Sequence, residues 1–345
     1  MKTKPMTKFA ILALSLVLVA CAGGGSEEAG CPAIDGREIN VVATTPMIGE
    51  FVSQVGGENI NLTVLMPPEA NPHTYEPAPQ DAGTIAEADL VFYTGLLYEP
   101  AALVKLLENS ACSTDILSEV GESVFPIEFK EGGHDDHDDH DDHDDHDDHD
   151  DEEGHDDEEG HDDHEGHNHG AYDPHFWFDP SRVAYAAEYI ESRLIQFDPE
   201  NESSYKSSAD SFVSELNDLT KQVSELISTV PSQNRKLITT HESLGYLEAK
   251  FGLEVLSTII PSLNSANEIS PSDLAGVIDV IEDNNVKVIF IESEAPSVYS
   301  ETIVAETGIK PVTGLYVETL KPGQSYSEFL ISNVKLITEN LQDTD

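Results

Sequence analysis

Tyr205-Lys206-Ser207-Ser208-Ala209-Asp210-Ser211-Phe212-Val213-Ser214-Glu215-Leu216-Asn217-Asp218-Leu219-Thr220-Lys221-Gln222-Val223-Ser224-Glu225-Leu226 decides how the chain divides. Tyr205, Ala209, Phe212, Leu216, Leu219, Val223 and Leu226 recur in steps of four and three, which lays one apolar stripe along a helix. Asp198-Pro199 opens the segment and no further proline or glycine interrupts it before Pro231. A helix over residues 199–230 would span roughly 45 Å at about 1.5 Å per residue. That is long for a helix inside one lobe and suits a strut joining two. The stripe holds too few heptads for a coiled-coil dimer, so a monomer is expected.

Working outward, both flanks alternate short β-branched runs with helical patterns, the mark of α/β units with parallel sheets. On the amino-terminal side, strands are expected at 39–44, 60–66 and 89–94, and helices over 46–55, 80–88, 100–109 and 182–197. On the carboxy-terminal side, strands are expected at 236–240, 253–260, 286–291 and 310–312, with helices over 244–251, 271–284, 297–307 and 326–341. The fold predicted is α/β: two (βα)4-type lobes with parallel sheets, joined by the long helix. The first lobe would cover 38–198 and the second 231–345.

The chain has 345 residues and a formal net charge of −50. Much of that charge lies between His134 and His169, a run of His-Asp-Asp units that loosens into Glu/Gly/His units. The run holds 21 of the 67 acidic residues and none of the 17 basic ones, so the remainder is acidic too. Such a surface repels phosphate backbones and argues against nucleic acid as a partner. Within the run, aspartates repel one another and nothing apolar can be buried, so 132–170 is expected to be a disordered insertion in a surface loop.

The amino terminus reads as a signal for export. Lys2, Lys4 and Lys8 precede the apolar run from Phe9 to Ala20, which is too short to span a bilayer. It ends Leu18-Val19-Ala20-Cys21, which resembles the bacterial lipobox, whose cysteine is acylated. Residues 1–20 are expected to be removed. Residues 21–37, opening Ala22-Gly23-Gly24-Gly25-Ser26, would tether the body to a membrane through lipid on Cys21. Outside the cytoplasm a disulfide can persist, and Cys31 and Cys112 are the pair available; two thiols are the alternative.

Eleven of the fourteen histidines lie in the acidic run: His134, His137, His140, His143, His146, His149, His155, His161, His164, His167 and His169. Their imidazoles are mostly neutral at pH 7 and suit weak auxiliary metal sites that collect or sense metal. The other three, His73, His175 and His241, stand singly where loops follow strands or precede a helix. Ligands of parallel α/β sheets sit beyond the carboxyl ends of strands, which makes these three candidates for one cation.

The motifs Asn71-Pro72-His73-Thr74-Tyr75-Glu76-Pro77, Asp173-Pro174-His175-Phe176-Trp177-Phe178-Asp179-Pro180 and Thr240-His241-Glu242-Ser243-Leu244-Gly245-Tyr246 resemble the metal-site motifs of ABC-transporter substrate-binding proteins for zinc and manganese. The resemblance runs in order over nearly the whole chain, and the acidic His-rich insertion is typical of the zinc branch. It implies an interlobe metal site, a membrane permease as partner, and work in the periplasm or at the outer face of the cytoplasmic membrane. It also implies a fourth ligand in Leu315-Tyr316-Val317-Glu318-Thr319-Leu320, where Glu318 stands in place of the more usual aspartate. Glu242 and Glu292 are expected to orient histidine N–H groups.

Three neutral imidazoles and one carboxylate suit Zn²⁺, with Mn²⁺ second because it prefers more oxygen. Four protein ligands leave no open position for a reacting water, and no His-Glu-x-x-His helix is present, so binding is expected rather than catalysis. A lipid-anchored zinc hydrolase and a metal-storage or adhesin lipoprotein are the competing readings.

Overall fold

The computed structural model describes residues 36–129, 172–262, 268–294 and 298–342, together with Cys31, Ile34 and Asn264. The expected signal, Cys21 and the acidic run lie outside these residues. Among those described, no helix is long and apolar enough to cross a membrane.

The first lobe is built on β1 (Ile39–Ala43), β2 (Ile60–Val64), β3 (Leu90–Tyr93) and β4 (Leu117–Glu119), all parallel in the order β2-β1-β3-β4. Strand β4 was missed in the sequence: three residues are too few for an alternation to register. Thr45 starts α1 (Pro46–Gly56) by accepting a hydrogen bond from the Ile48 N–H at 3.2 Å, and Pro46 needs no donor there. Helices α2 (Pro79–Ala86) and α3 (Ala101–Ser110) complete the crossovers. Just beyond α3, Cys112 is disulfide-bonded to Cys31, with their Cα atoms 5.0 Å apart.

Asp179 caps α4 (Pro180–Phe197), its carboxylate accepting from the Ser181 N–H at 2.9 Å. A turn then leads into α5 (Glu202–Ser228), whose 27 residues make about 40 Å of helix. Its buried face is Tyr205, Ala209, Phe212, Leu216, Leu219, Val223 and Ile227. The last position differs from the expected Leu226 because a helix turns 3.6 residues, not 3.5, and the stripe drifts over its length.

The second lobe follows with β5 (Lys236–His241), α6 (Gly245–Phe251), β6 (Glu254–Ile260), α7 (Pro271–Asp283), β7 (Val288–Glu292), α8 (Val298–Thr307), β8 (Lys310–Leu315) and α9 (Tyr326–Gln342). β5 pairs with β6, and β7 with β8, both in parallel. Strands β5 and β7 join through side chains at their carboxyl ends. The Glu292 N–H donates to Thr240 Oγ1 at 3.0 Å, and the His241 N–H to Glu292 Oε1 at 3.2 Å.

One apolar core runs through both lobes along α5. Phe51 of α1 packs against Phe212 of α5 at 6.3 Å between ring centroids and edge-on against Tyr326 of α9 at 5.2 Å. The halves are therefore fused by shared buried surface, not merely tethered by a hinge.

Candidate metal centre

His73, His175, His241 and Glu318 come together although up to 245 residues separate them, and one donor atom from each lies within 4.8 Å of the others. His73 sits on a tight turn beyond β2, where Asn71 accepts its N–H at 2.9 Å. His175 precedes the turn Phe176–Phe178, His241 ends β5, and Glu318 lies in the loop after β8. His175, His241 and Glu318 are fully buried, and the His73 side chain is 3% exposed.

Two carboxylates fix which ring nitrogen faces the centre. Asp173 Oδ1 takes both the His175 N–H and its Nδ1, at 2.9 and 2.8 Å. Glu292 grips His241 in the same way, Oε1 on the backbone N–H and Oε2 on Nδ1. In a neutral ring, donating the Nδ1–H to a carboxylate leaves the lone pair on Nε2. Both Nε2 atoms are buried and turned toward Glu318, whose oxygens lie 3.5 Å from that of His175 and 2.8 Å from that of His241. Glu292 thus holds the His241 ring, whereas Glu242, expected in the same role, has its carboxylate accepting from Thr258 Oγ1 at 3.1 Å.

The charges are strongly linked. Burial alone would keep His175 neutral, but the Glu318 and Asp173 carboxylates outweigh it and push its pKa up to about 9. Against the same burial, Glu292 and Glu318 hold His241 well above the ordinary imidazole value. Glu318, which burial would protonate, is instead drawn well below the usual carboxylate range by His73, His175 and His241. Without a metal the centre therefore holds protons that a cation must displace.

Other side chains complete the surroundings. Tyr98 donates to Glu318 Oε2 at 2.9 Å and to its carbonyl at 3.1 Å. Trp177 Nε1–H donates to the Val317 carbonyl at 2.8 Å, and the Tyr326 hydroxyl to the Trp177 carbonyl at 2.7 Å. The Tyr246 hydroxyl donates to the Asp173 carbonyl at 2.9 Å, and Asn71 Nδ2 to the Glu294 carbonyl at 3.3 Å. Every one of these bonds crosses between lobes. Glu294 Oε1 accepts the Glu318 N–H at 3.3 Å, while burial and the neighbouring Glu318 raise its pKa to about 8. Asp173, two residues before His175, is placed to accept that residue's N–H.

His73 Nε2 and His241 Nε2 lie 3.0 and 2.8 Å from Glu318 Oε1, and His175 Nε2 lies 3.5 Å from Oε2. The donor set is drawn from both sides of an interlobe seam. The family model of the zinc-uptake complex component A, periplasmic (ZnuA), matches residues 41–340. The chain belongs to this family.

It is 26% identical to the manganese ABC transporter substrate-binding lipoprotein PsaA of Streptococcus anginosus, over 98% of this chain and 99% of that one. It is 27% identical to the high-affinity zinc uptake system protein ZnuA of Bacillus subtilis, over 96% of each. In fold it is similar to the periplasmic zinc-binding protein TroA of Treponema pallidum, with a TM-score of 0.72 at 20% identity, covering 88% of this chain and 99% of that one. The chain is a substrate-binding component of a metal ABC importer acting outside the cytoplasm, and not an enzyme.

Near the centre, the ends of the acidic insertion are drawn together: Glu128 and Tyr172 form an antiparallel bridge, and the Asp173 N–H donates to the Ile127 carbonyl at 3.0 Å. The eleven histidines of that run lie outside the described residues.

Proposed function

We propose that this chain captures Zn²⁺ through His73, His175, His241 and Glu318 and delivers it to a membrane permease. The observation that carries the reading is the pair of buried Nε2 atoms that converge with His73 on Glu318 while their Nδ1 positions are committed to other carboxylates. Three imidazoles and one carboxylate form a four-coordinate, nitrogen-rich shell, which zinc accepts and manganese favours less. Relatives named for either metal match about equally, so the donor chemistry, not the likeness, supports zinc.

The interlobe bonds around the centre and the core shared along α5 oppose a large hinge motion. Release then proceeds by local movement of the loops that carry His73 and Glu318. We place the lobes at 38–198 and 231–345, the anchor at acylated Cys21, and a monomer at the membrane surface. The acidic histidine run gathers metal at weak sites and hands it on.

Elemental analysis of protein purified without added metal, followed by zinc–manganese competition, tests the reading. Zinc should copurify and resist equimolar manganese; manganese that displaces it would overturn the assignment. Titration of His73→Ala separates a transport site from a storage protein, since loss of one tight equivalent is expected only for the former. Deleting residues 132–170 should leave that tight site in place.

A further inference from the structure

We propose that Tyr98 limits Glu318 to one oxygen on the metal and so tunes the site toward zinc; this rests on the four-ligand reading above. The two oxygens of Glu318 are not equivalent. Oε1 faces two imidazoles, 3.0 Å from His73 Nε2 and 2.8 Å from His241 Nε2, while Oε2 stands farther from the third, 3.5 Å from His175 Nε2. Oε2 is occupied by the Tyr98 hydroxyl at 2.9 Å, and the same hydroxyl reaches the Glu318 carbonyl at 3.1 Å. One phenol thus ties the carboxylate to its own backbone and blocks the rotation that would present both oxygens to an ion. A glutamate arm, longer than an aspartate's, has more freedom to make that rotation, so it has more need of such a restraint.

The ring itself has little room to move. It is 1% exposed and packs edge-on against His73 at 5.1 Å, His175 at 5.8 Å and Trp177 at 5.3 Å between centroids. The backbone that delivers it is unusual. Gly95, Leu96 and Leu97 adopt left-handed φ values of 77°, 54° and 61° in succession, and only the first is a glycine. Two buried or half-buried carboxylates hold this turn. Glu99 accepts the Thr94 and Gly95 N–H groups at 2.7 and 2.9 Å, and Glu119 accepts that of Leu96 at 2.9 Å. Strain maintained by several partners beside a binding centre points to a positional demand, here the placement of one hydroxyl.

With Oε2 held, the donors are three nitrogens and one oxygen, the number that zinc fills as a tetrahedron. With Oε2 free, a fifth donor becomes available and it is an oxygen, which favours manganese. Tyr98 is in this sense a positioning residue: it touches the ligand and not the ion.

The test is Tyr98→Phe, which keeps the packed ring and removes the hydroxyl. Cobalt(II) reports coordination number directly, since tetrahedral cobalt absorbs visible light much more strongly than five-coordinate cobalt. The wild-type protein should show the intense tetrahedral bands and Tyr98→Phe weaker ones. The zinc-over-manganese affinity ratio should fall about tenfold, the worth of one hydrogen bond to a charged group. A folded Tyr98→Phe protein with unchanged bands and an unchanged ratio would overturn the proposal. His73→Ala distinguishes the two levels: if it leaves the tetrahedral bands intact the four-ligand reading falls, whereas if it abolishes them and Tyr98→Phe changes nothing, only the role of Tyr98 falls. X-ray absorption of zinc-loaded wild-type protein reads the same quantity without substitution; four nitrogen and oxygen neighbours support the proposal and five overturn it.

Discussion

Raising the pH from 6.5 to about 9 in the presence of a chelator strips protons from a buried cluster that holds them tightly. The His175 pKa is raised from 6.5 to about 9 by Glu318 and Asp173, against burial. A group raised in the folded state stabilises it fully below the unfolded value and loses that contribution as pH passes the folded value. At about 1.4 kcal/mol per pKa unit, His175 alone contributes up to about 3 kcal/mol that disappears over this interval.

Other groups do not cancel the effect. His241 is raised too, and Glu294, raised to about 8, loses stability with rising pH in the same direction. Glu242, raised to about 6, has finished titrating before the window opens. Glu318 is depressed, so its stabilising contribution is already complete above the unfolded carboxylate value of 4.5. Metal-free protein should therefore unfold at progressively lower urea concentration between pH 6.5 and 9, followed by circular dichroism. Zinc affinity should rise over the same range, by about tenfold per pH unit for each proton displaced, so metal-loaded protein should hold or gain stability. Asp173→Asn, which removes one of the carboxylates acting on His175, should move the loss to lower pH. A metal-free stability that stays flat or climbs through this window would refute the reasoning.

Trp177 is the chain's one tryptophan, and its ring lies 5.5 Å from that of His175. Protonated imidazole quenches indole emission, so fluorescence should increase when zinc is added near neutral pH; no response to zinc would count against displacement of the His175 proton. Replacing Cys31 and Cys112 with serine opens a bridge between positions 81 residues apart, which should lower unfolding stability by up to about 4 kcal/mol while calorimetry still finds the tight metal equivalent. Gly95→Ala places a Cβ 2.0 Å from Glu119 Oε1 at a φ of +77°, so it should destabilise the fold by about 1–3 kcal/mol and weaken zinc binding through displaced Tyr98. Thermal denaturation and competitive titration check both.

Much of the architecture could be read from local pattern because its causes are local. The 3.6-residue stripe of α5 and the apolar runs of β1, β5 and β7 each depend on neighbours within a few turns of chain. The same holds for the three single histidines, whose positions beside strand ends follow from element order alone. Even Glu318 could be named as a candidate, since family resemblance attaches it to the Leu-Tyr pair before it.

What surrounds those residues depended on the path of the whole chain. Tyr98 and Glu318 lie 220 residues apart, Trp177 and Val317 140, and His241 and Glu292 51. No periodicity or propensity spans such separations. Whether Glu242 or Glu292 reaches an imidazole turns on β5 lying beside β7, and that adjacency is made by side-chain bonds at the strand ends. Sequence by itself determined which groups can bind a cation, because donor chemistry belongs to each residue type. Only the tertiary structure decided which nitrogen faces inward, which oxygen is held back and how firmly the imidazoles keep their protons, because those depend on distances of a few ångströms inside a medium where charge is poorly screened.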